Sequence, residues 1–282
     1  MKDAAIRPPA AARANVRRLH AAIVIFVIVA FGFSWLAWLP LVITGLTTVM
    51  PWYFYVGSMG PALGALAATL LLGADGGLGT WVRRTFSCTG IGRALAVVIV
   101  SIILYVGIGL LVEQMASGSL ERISTVGLTS KLPGASAGVV ALVWLLTFGL
   151  GEEAGWRGWL MPALAGRFGF TKASLLVAAA WLLWHLPQFI FNPGFRSMGW
   201  AVIAWIIALV AGSFWLGWLA MLGRWSIVPV VLWHGGFDFL TASDLGPSMF
   251  PATISTIVMV QAAVVIVVRV VGESRNTSSR PA

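Results

Sequence analysis

Apolar stretches of about twenty residues recur along this chain, and they leave it few ways to fold. A bilayer core about 30 Å thick is crossed by about 20 residues of helix. Runs of this kind, nearly free of charge, lie at 19–39, 55–73, 94–112, 136–151, 173–191, 199–222, 226–240 and 249–268. The fourth continues past 151, and the seventh is short unless it extends through Ala242. The first is too long for the apolar region of a signal peptide, and no small-residue cleavage site follows it. Only 10% of the 282 residues are charged, against about 25% in a soluble domain. That excludes a water-soluble globule, and the 59% hydrophobic content excludes a disordered chain. The expected class is all-α: a polytopic protein with eight transmembrane helices and the lipid bilayer as its solvent. The one cysteine, Cys88, excludes an internal disulfide and a multi-cysteine metal site.

The net charge of +9 would suit a nucleic-acid partner, but its placement argues for a membrane instead. Lys and Arg concentrate in cytoplasmic loops. With the N-terminus inside, alternating segments put fifteen of the eighteen basic residues inside, leaving Arg122, Lys131 and Arg196 outside. This favours eight spans with both termini cytoplasmic and no nucleic-acid partner. Residues 1–18 then form a basic cytoplasmic arm, 19–272 the transmembrane domain with its motif core at 135–240, and 273–282 a flexible polar tail. The Ala, Gly, Val and Trp-rich, Lys-poor composition points to a bacterial cytoplasmic membrane. Gly60-x-x-x-Gly64 suits close helix packing. Trp52, Trp81, Trp200 and Trp225, near run ends, read as interfacial anchors.

Ionisable groups inside apolar spans are costly and are functional candidates by default. Asp3, Asp75, Glu113, Glu121, Asp244 and Glu273 fall in tails or loops. Glu152, Glu153 and Asp238 do not, and they accompany two of the three histidines, His185 and His234. At a rise of about 1.5 Å per residue, Glu152 and His234 lie about 15 Å and His185 about 20 Å from their nearest cytoplasmic boundary. Three helices thus bring a carboxylate and two imidazoles to comparable depth, in one buried site expected to open toward the cytoplasm. Glu153 and Arg157 are four apart and share a helix face, as are His234 and Asp238. Glu152, turned about 100° from Glu153, can face a cavity. Gly235 and Gly236 would leave room beside His234, and Pro187 would disturb the helix after His185.

In order and placement, Glu152-Glu153-Ala154-Gly155-Trp156-Arg157, then Trp181-Leu182-Leu183-Trp184-His185, then His234-Gly235-Gly236-Phe237-Asp238 resemble the CPBP family. These are the CAAX-type prenyl-protein endopeptidases and bacteriocin-processing intramembrane proteases. Gly57-Ser58-Met59-Gly60-Pro61 is similar to that family's second-helix entry. Trp181 stands in place of the usual Phe, and Asp238 where better-studied members have Asn. The resemblance implies an intramembrane endopeptidase cutting membrane-associated peptides or proteins, prenylated or not. By the same resemblance Glu152 is the base holding the water, His185 assists, and His234 with Asp238 stabilises the oxyanion. Glu153 and Arg157 hold the helix in register. An ionised Asp238 cannot donate a hydrogen bond, so it must be protonated, orient His234, or bind metal. The cofactor is accordingly none or one zinc ion; if zinc, the ligands are Glu152, His185 and His234. The glutamate mechanism without metal is preferred. The same buried groups would also serve a proton- or cation-coupled transporter, or the fold could be a non-catalytic membrane scaffold. Absence of evident repeats disfavours the transporter.

Overall fold

The computed structural model describes residues 10–73 and 76–278, which form helices and loops with no strand among the described residues. Residues 1–9 of the basic arm, Asp75, and residues 279–282 of the tail lie outside the described residues. The order begins α1 (Ala10–Thr44), α2 (Trp52–Gly57), α3 (Gly60–Leu72), α4 (Leu78–Thr85) and α5 (Gly92–Ser117). A long loop leads to α6 (Ala137–Trp144), which runs through a π-helical turn, α7 (Glu153–Gly155) and a second π-turn into α8 (Met161–Trp184). Short helices α9 (Gln188–Phe191) and α10 (Pro193–Arg196) precede α11 (Ala201–Leu222), α12 (Val228–Thr241) and α13 (Phe250–Ser278). Helix thus extends through Ala10–Arg18 and beyond Glu273 in the described parts of the arm and tail.

Five helical stretches are long and apolar enough to cross a bilayer: Arg17–Thr44, Gly92–Ser117, Ala137–Trp184, Ala201–Leu222 and Phe250–Arg269. The architecture is that of a polytopic, all-helical membrane protein. The 48-residue stretch is not one rod. Gly169 interrupts α8 with φ 79° and ψ 170°, outside any helical region. The Trp156 and Trp184 rings lie 6.1 Å apart, whereas 28 residues of continuous helix would separate them by about 42 Å. The chain therefore folds back at Gly169 into an antiparallel hairpin.

Loop contacts define two poles. At one, which we term the loop pole, the Met50 amide donates to the Lys131 carbonyl (3.0 Å), the Thr47 amide to Phe191 (3.0 Å) and the Asp244 amide to Leu128 (3.0 Å). At the other, the arginine pole, Arg18 Nε donates to the Leu72 carbonyl (2.6 Å) and Arg84 Nη2 to the Gly158 carbonyl (2.6 Å). There too the Ile227 amide donates to Thr85 (2.9 Å), and the Arg269 guanidinium lies over the Phe170 ring at 5.5 Å. Two assignments from sequence change. Glu113 is buried within α5, accepting from the Met249 amide (2.7 Å) and the Ser248 hydroxyl (2.9 Å), so it fastens the start of α13. Trp81 is buried and packs in the core, whereas Trp52 and Trp200 are exposed as anchors would be.

Glycine allows the segment carrying Glu152 and Glu153 to sit against its neighbours. A Cβ on Gly151 would lie 2.6 Å from Met59 Sδ and 2.9 Å from the Ser58 carbonyl oxygen. One on Gly155 would collide with Pro61, and one on Gly158 would reach Thr85 Cγ2 at 2.8 Å. On the facing helix, Gly60 and Gly64 admit the backbone of Ala30 and Phe26, as the small-residue spacing predicts. Overpacking of this kind costs about 1–3 kcal/mol. Gly155→Ala should therefore lower the thermal unfolding midpoint in detergent. Gly166→Ala, at a glycine with nothing within 4 Å of the added carbon, should leave it unchanged or slightly raised.

Candidate active site

Two π-turns, Leu145–Glu152 and Trp156–Leu160, bracket the paired glutamates. Such widened turns recur at functional sites because they alter where successive side chains point. Glu152 and Glu153 here serve different neighbours. Glu152 Oε2 accepts from Trp181 Nε1 at 2.7 Å. Glu153 Oε1 accepts from Arg157 Nη1 at 2.8 Å, one turn along the same segment, and from His234 Nδ1 at 2.7 Å on α12. Glu153 and Arg157 are fully buried, where an ion pair holds only if each charge keeps its partner.

Trp181 joins several of these groups at once. Its indole N–H serves Glu152, and its ring receives the Arg157 guanidinium 4.3 Å from the centroid. Its carbonyl accepts from His185 Nδ1 at 2.7 Å. That carbonyl is available because α8 ends at Trp184: the His185 amide donates to Leu182, three residues back, rather than to Trp181. Pro187 follows immediately, as its helix-ending chemistry requires. With Nδ1 donating, His185 carries its free lone pair on Nε2. Its ring stacks on Phe195 at 5.7 Å, with Trp184 and Trp205 edge-on. His234 meets the Trp181 ring edge-to-face at 5.7 Å, and its Nε2 lies 3.6 Å from Asp238 Oδ2.

Glu152, His185, His234 and Asp238 all line one cavity of about 530 Å³. Aromatic and aliphatic side chains of α6, α11 and α13 complete its wall. Lys131 also lines it, a residue that the sequence reading treated only as an external loop charge. Burial pushes the Lys131 ammonium below the usual lysine range, with the carboxylates of Asp238 and Asp244 opposing the shift. Its backbone is fixed, since its carbonyl accepts from both the Met50 amide (3.0 Å) and the Tyr55 hydroxyl (3.1 Å). Nothing in the sequence joins Lys131 to His234; only the folding of the loop over the helix ends does. Trp181, noted as an aromatic replacement, turns out to be the hydrogen-bond donor to Glu152, which a Phe could not be.

Two expectations need correction. Arg157 is a buried partner of Glu153 and carries no topological information, so it leaves the inside tally of charges. Gly235 does not make room for substrate: a Cβ there would lie 2.7 Å from Leu145 Cδ2, so this glycine brings α12 against the π-turn. The cavity lining also reaches Lys131, Met198 and Ala242, at the loop pole.

The hydrogen bonds at His185 Nδ1, His234 Nδ1 and Glu152 Oε2 fix these side chains and leave Nε2 of each imidazole and Oε1 of the carboxylate as the remaining donor atoms. No group of three His, Cys, Asp or Glu among the described residues stands where it could hold a metal.

Residues 134–240 match the family model of Type II CAAX prenyl endopeptidase Rce1-like proteins. That segment is thus similar to the CPBP family of CAAX-type endopeptidases. The chain is also 29% identical over 101 residues to CAAX prenyl protease 2 of Methanococcus maripaludis, covering 34% of this chain and 37% of that protein. The likeness thus spans little more than a third of the relative's length. The matched segment holds all three motif clusters and every residue of the Glu152–Trp181–His234 network, while Arg84, α11's partner α13 and the α1–α3 pair lie wholly or partly outside it.

Removing one partner of a buried ion pair costs about 3–5 kcal/mol. Glu153→Leu should lower the unfolding midpoint in detergent sharply, by stranding Arg157. The double substitution Glu153→Leu, Arg157→Met should recover part of that loss.

Proposed function

We propose that this chain is an intramembrane endopeptidase that hydrolyses membrane-associated peptide or protein substrates. The observation that carries this reading is Glu152, buried on the wall of a peptide-sized apolar cavity with two imidazoles and a carboxylate facing the same space. Peptide hydrolysis needs an activated water, a donor for the developing oxyanion and a proton for the leaving amine. Glu152 is the base. It takes a proton from a water whose oxygen adds to the scissile carbonyl, and His185 Nε2 accepts a hydrogen bond from the same water. His234, its Nδ1 held by Glu153, presents an Nε2 proton to the oxyanion, and the Asp238 carboxylate 3.6 Å away balances the charge of the imidazolium. That arrangement gives Asp238 a role an ionised carboxylate alone could not fill, since it then acts through the imidazole rather than repelling the new charge. The C–N bond breaks, Glu152 returns its proton to the leaving nitrogen, and the acid and amine formed ionise to a carboxylate and an ammonium.

The bilayer placement that accompanies this reading has eight crossings. The hairpin at Gly169 makes two spans of the 48-residue stretch, and α2–α3 and α12 add to the other long helices. Both termini then lie at the arginine pole, in a bacterial cytoplasmic membrane.

A quenched, farnesylated peptide ending in a CAAX sequence and its unprenylated counterpart, offered to the purified protein in detergent, test the chemistry. General-base catalysis is worth about 10²–10⁴-fold. Glu152→Ala should therefore lose cleavage on that scale with an unchanged unfolding midpoint; wild-type cleavage by this variant would overturn the proposal. Trp181→Phe, which removes one hydrogen bond to a charged group, should cost about 10- to 100-fold. Cleavage should also persist after exhaustive chelation, with no stoichiometric metal by elemental analysis. Loss on chelation and recovery with zinc would replace the metal-free mechanism.

A further inference from the structure

Two amide side chains on the cavity wall fix each other's orientation. Gln188 and Asn192, at the start of α9 and just past its end, both line the cavity and are only 6% and 4% exposed. Asn192 Oδ1 accepts from the Gly194 amide at 3.1 Å. A backbone N–H can only donate, so this contact identifies the oxygen of Asn192 and makes Nδ2 its other end. Nδ2 in turn donates to Gln188 at 3.0 Å, so the atom it meets is Oε1. The donor end of Gln188, Nε2, is thereby left over, and it has no protein acceptor among the described residues. The hydroxyls in the same lining are already engaged: Thr241 donates to the Phe237 carbonyl (2.8 Å) and Ser255 to the Pro251 carbonyl (2.9 Å).

The backbone under Gln188 is held as firmly as its side chain. Phe191 is fully buried between Trp38 and Phe54, with ring centroids 6.4 and 6.1 Å away, and its carbonyl accepts from the Thr47 amide at 3.0 Å. The Gln188 amide donates to the His185 carbonyl at 2.9 Å, so the two side chains share one turn, with Cβ atoms about 5–6 Å apart. An extended peptide rises about 3.3 Å per residue and alternates its edges, so carbonyls on one edge recur about every 6–7 Å. We infer that Gln188 binds the main chain of the substrate: with the scissile carbonyl at Glu152 and His185, Nε2 donates to the peptide carbonyl two residues away. The inference rests on the endopeptidase reading for what occupies the cavity. The ligand class follows from the donor, because a neutral amide whose oxygen is already engaged can only give hydrogen bonds to what lies beside it. A peptide carbonyl stripped of water against aromatic walls needs such a donor. Every residue carries that carbonyl, so Gln188 sets binding and register without selecting a side chain.

Two substitutions remove this donor while keeping a hydrogen bond between positions 188 and 192. Gln188→Glu gives one carboxylate oxygen to Asn192 Nδ2 and turns the other, an acceptor, to the cavity. Asn192→Asp makes both ends of the side chain at 192 acceptors, so Gln188 must turn over, giving Nε2 to position 192 and Oε1 to the cavity. The residue facing substrate is then chemically unchanged. Binding of a fluorescent farnesylated CAAX peptide is read by anisotropy in detergent in a Glu152→Ala background, and cleavage kinetics without that background. A lost hydrogen bond is worth about 3- to 10-fold, so each variant should weaken peptide binding by at least that factor. In cleavage the loss should fall on KM rather than kcat. A purely structural role for the amide pair predicts wild-type binding by both variants, since the bond between 188 and 192 survives. Where one variant lowers the unfolding midpoint, the other carries the test. Unchanged binding by a folded variant, or no binding by the parent protein, overturns the inference. A protein that cuts peptide while its variants bind normally fails on Gln188 alone. One whose binding falls with both substitutions but which cuts nothing fails only as an endopeptidase.

Discussion

One carboxylate oxygen, Glu153 Oε1, sits between a guanidinium at 2.8 Å and an imidazole at 2.7 Å. None of the three groups is tolerable alone in a dry interior, where an unpaired charge costs several kcal/mol. Together they bind the glutamate segment to α12 at the one depth where both histidine and carboxylate chemistry are present. The residue next along, Glu152, is thereby kept out of that network and left to Trp181 and the cavity. Two adjacent acids thus divide the work, one holding helices and one facing the open space.

The division depends on local backbone features as much as on charge. The widened turns on both sides of the glutamates change the direction of successive side chains. Glycines at 151, 155 and 158 let the same segment lie against α3 and α4 without a gap. Trp181 then completes the arrangement from the other arm of the hairpin. Its ring attracts the Arg157 guanidinium while its N–H steadies Glu152, and its carbonyl holds His185 Nδ1. A single side chain and its own backbone so connect all the groups facing the cavity from this side.

Much of this was legible in the sequence because it is local. The i,i+4 spacing of Glu153 and Arg157, the small-residue face at Gly60 and Gly64, and the helix end at Pro187 are consequences of a 3.6-residue repeat and of proline chemistry. Charge scarcity within apolar runs likewise singled out Glu152, His185 and His234, all of which face the cavity. What was not legible depends on which elements meet. Lys131 becomes a cavity residue because backbone hydrogen bonds draw its loop over the helix ends. Glu113 becomes buried because α13 starts beside it, and Gly235 proves to be a packing residue because Leu145 is its neighbour. Counting rise per residue gave depth, but not which loops would reach the cavity.

The pairing of Glu153 with Arg157 has a consequence for how the chain is made. Both belong to one continuous helical segment, so they can neutralise each other as soon as that segment forms, before α11–α13 have been synthesised. The segment can then pass from the translocation machinery into lipid carrying an internally compensated charge rather than two separate ones. Arrival of the Gly169 hairpin arm brings the Trp181 ring onto the guanidinium. Only with α12 does His234, 81 residues after Glu153, reach the shared oxygen. The site is therefore assembled from its most costly component outward, and the cavity first acquires its full set of polar groups when the second-to-last helix inserts.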